Sequence, residues 1–376
     1  MGGYAVIYLD HAATTPVRPE VADAMSPYVM SAFANASSGY AAARTSRRAI
    51  DQARAQVAAA IGAKQREIYF TSGGSEADNW AIFGAASAHP EKRHIITSCI
   101  EHHAVLYACK ALEEFGYSVT YLPVDEFGRV CPADIRSAVR PDTLMISVML
   151  ANNEIGTIEP VAQISTIARE AGVLMHTDAV QATGHIPLDV AALGVDLLSM
   201  SAHKFYGPKG IGALYIREGV RMGKLVFGGA QERGMRAGTE NTPAIVGMGK
   251  AIELACREME QEETATCRLR RMLVQKLLEI PGVRINGDPD CSLPGIVHVI
   301  IEDADTAMLL MQMDMQGVAV SAGSACTSGA AERSHVIEAL GFASGRQADI
   351  RFSIGRQNTE TEIELAAAIF RRCLKR

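Results

Sequence analysis

Short apolar runs alternate with stretches of helical periodicity along the chain as far as about Thr242. The runs Ile68–Thr71, His94–Ser98, Val119–Pro123, Leu144–Leu150, Val173–Asp178, Leu197–Ser201 and Gly212–Ile216 read as strands. Between most of them lie helical patterns, among them Arg44–Ile61, Glu76–Ala88, His103–Phe115 and Val161–Ala171. Alternation of this kind predicts an α/β domain with a mostly parallel sheet covered by helices. Leu144–Leu150 is apolar nearly throughout, the mark of a strand buried on both faces.

After Thr242 the pattern changes. A long helical region runs from Pro243 to Ile280 and stops at Pro281-Gly282. A strand (Ile296–Ile301), a helix (Thr306–Gln316), a strand (Val318–Ser321), a helix (Ser334–Leu340), a strand (Asp349–Ile354) and a closing helix (Thr359–Leu374) follow. This reads as a smaller α+β domain whose boundary falls inside the long helical region.

Composition narrows the function classes. A length of 376 residues fits two domains, and 48% hydrophobic with 21% charged residues is ordinary for a globular chain. A net charge of −6 lacks the basic footprint that nucleic acid requires. No apolar run approaches the ~20 residues of a membrane span. The segment Met1–Asp10 has no basic region ahead of its apolar stretch, so no signal peptide is expected. The 8 cysteines form no CxxC pairs, which argues against a disulfide framework and against a metal site. A reducing cytoplasm is the expected compartment.

Several segments could carry chemistry. Phe70-Thr-Ser-Gly-Gly-Ser-Glu-Ala-Asp78 follows a strand and opens a helix. Gly73 and Gly74 permit a tight turn, Ser75 is placed to cap the helix, and Asp78 stands as its capping-box partner. Such a start suits a phosphate, although a plain capped turn reads the same way. Asp178 ends a buried strand, where ligands of open α/β sheets collect. Lys204, in Ser201-Ala-His-Lys204, follows another apolar strand beside His203. Partial desolvation and a neighbouring imidazole make it a Schiff-base candidate. A phosphate cradle, a strand-end Asp and a strand-end Lys together are the grips that pyridoxal 5'-phosphate requires.

Other residues are less decisive alone. His102, just past a strand, could stack on a cofactor ring or move protons. Arg351 sits in a strand-like run and could hold a carboxylate bidentately. Cys326 is surrounded by small residues from Val320 to Ala331, the composition of an exposed loop carrying a reactive thiol. Met308, Met311, Met313 and Met315 mix with Leu309 and Leu310 at near-helical spacing and read as core packing.

Nine separated motifs then act together: Tyr8-Leu-Asp-His-Ala-Ala-Thr-Thr-Pro16, Thr71-Ser-Gly-Gly-Ser-Glu76, Glu101-His102, Asn152-Asn-Glu-Ile-Gly156, Asp178-Ala-Val-Gln181, Ser201-Ala-His-Lys204, Arg236-Ala-Gly-Thr-Glu-Asn241, Gly323-Ser-Ala-Cys-Thr-Ser328 and Arg351-Phe-Ser-Ile-Gly-Arg356. In this order, over essentially the whole chain, they resemble the cysteine desulfurases of the NifS/IscS type. The resemblance implies the aspartate-aminotransferase fold, with a large domain over 16–256 and a small domain from 1–15 and 257–376. It implies a homodimer that binds pyridoxal 5'-phosphate and converts L-cysteine to L-alanine. By position, Lys204 looks like the residue joined to the cofactor, Asp178 the partner of its ring nitrogen, and His102 the stacked proton shuttle. Gln181 and Asn153 look like ligands of the ring hydroxyl, with Asn153 also near the substrate. Gly74, Ser75, Ser201 and His203 look like phosphate ligands, and Thr239 one contributed by the second subunit. Arg351 looks like the carboxylate anchor with Asn35 near it, and Cys326 the thiol that receives sulfur for an iron–sulfur scaffold or another acceptor. The segment Asn35-Ala-Ser-Ser-Gly-Tyr40 departs from the usual Asn-Pro-Ser-Ser-x-His pattern. The alternatives are a selenocysteine lyase, an aminotransferase, or a non-catalytic sulfur-relay partner.

Overall fold

The computed structural model describes residues 6–323, 334–342 and 347–374. Its main sheet has seven strands, in the spatial order Ile68–Thr71, Gly212–Ile216, Leu197–Ser201, Leu174–Asp178, Thr143–Ser147, His94–Ser98 and Ser118–Leu122. Gly212–Ile216 runs antiparallel to both its neighbours, and the remaining pairs are parallel. Four of these strands, His94–Ser98, Thr143–Ser147, Leu197–Ser201 and Gly212–Ile216, are buried along their whole length, as continuous apolar runs predict. The strand expected over Leu144–Leu150 leaves the regular ladder at Ser147. Val148 and Leu150 still donate to the carbonyls of His176 and Asp178, so the chain continues straight on past the sheet edge.

A second sheet is antiparallel and holds Gln347–Ser353, Ile296–Glu302 and Val283–Asn286. Its core includes Val297, Val299, Ile350, Phe352, Ile363 and Phe370. Ile7 and Leu9, from the start of the chain, belong to this core too, and Ile7–Tyr8 pairs parallel with Val318–Ala319.

One helix, Thr242–Leu278, serves both cores. The Asn241 side chain caps it by accepting from the Ala244 N–H, and Pro243 occupies the first turn, where no intrahelical bond is lost. At roughly 1.5 Å per residue it is about 55 Å long. Ala244, Ile245, Met248, Ala251 and Ile252 pack in the large core, and Leu269, Leu273 and Leu277 in the small one. Between them the helix turns polar: Glu258 takes Arg18 at 2.7 Å and Arg356 at 3.2 Å.

Several elements were not legible in the pattern, the two-residue strand Ile7–Tyr8 and the four-residue helix Val190–Leu193 among them. The helix Pro19–Met30 contains Pro19 and Pro27, which mask its periodicity. The helix Pro132–Ala138 and the strand Val283–Asn286 are too short for a clear repeat. One expectation is corrected. Leu309 and Met313 are core residues, but Met308, Met311 and Met315 are more than half exposed. Helical spacing groups these side chains by face without saying which face is covered. No helix among the described residues is long and apolar enough to cross a membrane.

Candidate active site

The carboxyl ends of the parallel strands open on one cavity of about 420 Å³. It lies where ligands of open α/β sheets gather. Thr71 leads into Gly74 and Ser75, Ser98 into His102, Ser147 into Met149 and Asn153, and Ser201 into His203 and Lys204, all in its wall. Asp178 and Gln181 line it from the next strand, and Arg351 closes it from the strand Gln347–Ser353 of the second sheet. Thus the structure gathers Gly74, Ser75, His102, Asn153, Asp178, Gln181, Ser201, His203, Lys204 and Arg351 around one volume.

The helix Gly74–Ala88 points its start into the cavity. Contrary to expectation, Ser75 does not cap it: the helix begins at Gly74, so Ser75 already lies inside the first turn. Glu76 instead accepts the Ser72 N–H at 2.8 Å and is clamped by Arg236 at 2.8 and 3.0 Å. Asp78 is not a capping-box partner either, and faces the cavity. Gly74 is required by close approach, since a Cβ there would come 2.7 Å from Val180 Cγ2. First-turn N–H groups, the Ser75 and Ser201 hydroxyls and His203 form a donor set suited to a phosphate dianion.

Lys204 Nζ donates to the carbonyl oxygens of Ala12 (2.5 Å) and Ala13 (3.0 Å). These belong to the segment that precedes Thr14 and Thr15, and Thr15 is in turn tied to the His203 carbonyl. Gln181 donates to the same Ala12 carbonyl at 2.9 Å. The N-terminal segment therefore holds the lysine and the glutamine together.

His102 caps the helix His103–Glu114, its Nδ1 accepting the Ala104 N–H at 3.1 Å. That bond assigns the ring proton to Nε2. Burial, then Lys204, then His103 push its pKa down to about 4, so the ring is neutral near pH 7. Asp178 accepts the Val180 N–H at 2.8 Å. Burial pushes its carboxyl up to about 6, with that hydrogen bond and Lys204 working the other way. Glu101, next to His102 in sequence, is fully buried and pushed up to about 8, chiefly by burial.

Arg351 is 1% exposed. One guanidinium nitrogen donates to the Asn153 carbonyl at 2.8 Å and another to Asp10 Oδ1 at 2.9 Å, while Nε has no partner among the described residues. A half-satisfied buried guanidinium at a cavity wall is suited to a carboxylate ligand.

Two predicted residues are not brought to this cavity. Asn35 is exposed and its Oδ1 accepts the Ser37 N–H. Thr239 is exposed on a neighbouring surface, joined to that segment through Glu240, which takes Arg47 at 2.9 Å and Ser37 at 3.5 Å. Cys326 lies outside the described residues. Sequence reasoning missed Asp10, Asp78 and Glu154 as cavity or anchor residues. Asp10 stands inside a quoted motif, and Glu154 beside Asn153, but nothing in the spacing says which way they face.

The arrangement fits pyridoxal 5'-phosphate. An amine, a carboxylate, a neutral imidazole, a dianion cradle and a guanidinium surround a cavity whose Gly74 edge a side chain would fill.

The model of the family described as aminotransferase class-V matches residues 7–365. The chain is 52% identical over 360 residues to a cysteine desulfurase IscS of Methanosarcina thermophila, covering 95% of this chain and 89% of the relative. It is 48% identical to a cysteine desulfurase IscS of Dictyoglomus turgidum, with 98% and 95% coverage. Among solved structures, a NifS-like protein superposes with a TM-score of 0.93 at 36% identity, covering 98% of this chain and 99% of that one. SspA in complex with cysteine superposes with a TM-score of 0.83, also at 36% identity, with 94% and 99% coverage.

Proposed function

This chain belongs to the class-V aminotransferase family, and on that premise we propose that it is a pyridoxal 5'-phosphate-dependent cysteine desulfurase that converts L-cysteine to L-alanine and leaves the sulfur on Cys326 as a persulfide. The observation that carries the reading is the convergence of Lys204, Asp178, His102 and Arg351 on one cavity. Relatives named cysteine desulfurase, matched over nearly the whole chain, and a solved relative in complex with cysteine support the substrate. The division into residues 16–256 and residues 1–15 with 257–376 is supported by the smaller core, which draws all its buried residues from 7–9 and 269–373, while Ala12, Leu293 and Ile296 cross the boundary to pack in the larger one.

When bound, the cofactor supplies an electron sink that labilises bonds at the substrate's α- and β-carbons. The chain's own residues do the rest. Arg351 offers its unpartnered Nε edge to the substrate carboxylate while Asp10 and Asn153 hold its other nitrogens. Lys204 Nζ leaves two backbone carbonyls to hold the cofactor and then serves as a base at the substrate's α-carbon. Asp178 presents its carboxylate to the ring nitrogen, and Gln181 and Asn153 serve the ring hydroxyl. His102, neutral with its proton on Nε2, exchanges that proton with groups in the cavity. Gly74, Ser75, Ser201 and His203 bind the phosphate.

Thr239 completes the phosphate site of a second copy of the chain. Its exposed position away from its own cavity supports a homodimer with shared sites. Asn35 is proposed only as an accessory to substrate binding. An iron–sulfur scaffold or another acceptor would collect the persulfide, and a reducing cytoplasm suits such a product.

Borohydride reduction of the loaded enzyme followed by peptide mapping tests the premise, with a pyridoxyl group expected on Lys204. Mass spectrometry after incubation with cysteine should show one added sulfur on Cys326. Cys326→Ala should lose alanine formation from cysteine. Unchanged turnover would overturn the persulfide route in favour of a selenocysteine lyase or another pyridoxal-phosphate lyase.

A further inference from the structure

Asp78 stands on the helix Gly74–Ala88, 1% exposed, and lines the same cavity as Asp178. One carboxylate oxygen of Asp78, one of Asp178 and a ring nitrogen of His102 all lie within 4.8 Å of one another. Asp78 Oδ1 has no hydrogen-bond partner among the described residues, although a buried carboxylate ordinarily collects several. Its surroundings offer little to balance a charge. His176 Nε2 lies 3.7 Å away, but that ring is already engaged by Ser147 (2.8 Å) and Ser199 (3.1 Å). Burial pushes the His176 pKa down to about 3, so it faces Asp78 as a neutral imidazole. From the adjoining strand ends the facing groups are Asp178 and Glu101, both acids, and the neutral His102. Lys204 acts on Asp178. Burial, Asp178 and Glu101 all raise the Asp78 pKa, and only a hydrogen bond with Ser199 opposes them.

Two carboxylates this close in a desolvated site do not both ionise, because the like-charge repulsion adds to the cost of burial. We infer that Asp78 is a positioning residue for the cofactor-ring site: a neutral carboxylic acid that shares one proton with Asp178, so that the pair presents a single negative charge, carried by Asp178, to the cavity. The neutral acid donates where an ionised one could only repel. It thereby fixes which oxygen of Asp178 turns toward a protonated ring nitrogen, and it keeps the cavity from carrying two negative charges beside a phosphate dianion. The role rests on the proposed cofactor reading, but the shared proton belongs to the protein alone and is present before any cofactor binds.

The test uses the full-length, cofactor-free protein at pH 7. The infrared difference spectrum, wild type minus Asp78→Asn, should show a positive carbonyl stretch from one protonated, poorly hydrated carboxylic acid, the buried Glu101 and Glu159 contributing to both proteins and cancelling. A difference spectrum without that band overturns the inference. Binding of pyridoxal 5'-phosphate across the pH range then tests positioning. Asp78→Ala should weaken it about tenfold, the scale of one lost hydrogen bond in a buried site. Asp78→Asn, the neutral isostere that keeps an N–H donor, should recover most of that loss. An Asn variant as impaired as the Ala variant overturns the positioning role. A wild type that binds no pyridoxal 5'-phosphate refutes the cofactor reading instead, and the infrared result still decides whether the proton is shared.

Discussion

Arg351 and Asp10 form a charge-assisted pair, 2.9 Å from guanidinium nitrogen to Oδ1, that joins a strand of the small sheet to the loop after the first strand of the chain. The guanidinium is fixed before substrate arrives, so less side-chain freedom is lost on binding. Asp10→Asn keeps the hydrogen-bond acceptor and removes the counter-charge. It should raise KM for cysteine about tenfold while kcat stays within about threefold, since a charge-assisted bond is worth roughly 1.5–3 kcal/mol and a neutral one less. Steady-state kinetics decide it. An unchanged KM with a reduced kcat would place Asp10 in the chemistry rather than in the anchor.

Replacing Arg351 by Lys retains charge but loses the planar fork. Cysteine binding should weaken by about ten- to a hundredfold, the cost of roughly one to two charge-assisted bonds. Spectral titration of the loaded enzyme with cysteine measures this independently of turnover.

The contact between Gly74 and Val180 gives a paired prediction. Gly74→Ala would put a Cβ 2.7 Å from Val180 Cγ2, so either Val180 or the helix start must move. Affinity for pyridoxal 5'-phosphate should fall by about three- to tenfold, consistent with ~1 kcal/mol of overpacking. Trimming the neighbour in Gly74→Ala/Val180→Ala should restore most of it. Equilibrium dialysis of the two variants checks both directions.

The buried acids set the alkaline side of stability. Glu101 and Glu159 both titrate at about 8 in the folded chain, raised chiefly by burial. Unfolded, each would release its proton in the ordinary carboxylate range. Between that range and pH 8 the folded state holds protons that the unfolded state has lost, so these groups make stability fall as pH rises. Several histidines act oppositely at lower pH. His11, His102 and His203 sit at about 4 when folded, so stability is lost as pH drops from the ordinary histidine range toward 4. Urea unfolding of the cofactor-free protein should show stability decreasing from about pH 6.5 to pH 8. Glu101→Gln should flatten that decline by about one proton, or ~1.4 kcal/mol per pH unit. An identical slope in the variant would mean that Glu101 is ionised in the fold.

Much of the site was legible because its residues stand where apolar strands stop. His102, Asp178 and Lys204 follow Ser98, Thr177 and Ser201, and a strand end in a parallel sheet is itself a positional statement. What stayed hidden depends on direction in space. Ser75 and Asp78 carry the spacing of a capping box, and only the start of the helix at Gly74 shows that Asp78 faces the cavity. The exposed Met308, Met311 and Met315 were read as core because spacing does not report which neighbours cover a face. Asn35 and Thr239 were assigned to the site by motif, yet the fold of one chain keeps both away from its cavity. The helix Pro19–Met30 was unreadable behind its two prolines.

The pairing of Ile7–Tyr8 with Val318–Ala319, and the burial of Leu9 among residues drawn from the last helix, also order events in time. During synthesis Ile7–Leu9 cannot make these contacts until Val318–Ala319 and the segments after them have left the ribosome. The larger core can condense first around the early half of Thr242–Leu278. The smaller one must wait for its final segment, and Arg351, Asp10 and the mouth of the cavity are assembled with it. The Arg351–Asp10 pair therefore forms only after residue 351 has been made, and a truncated product retaining Lys204 but ending before that residue would lack it.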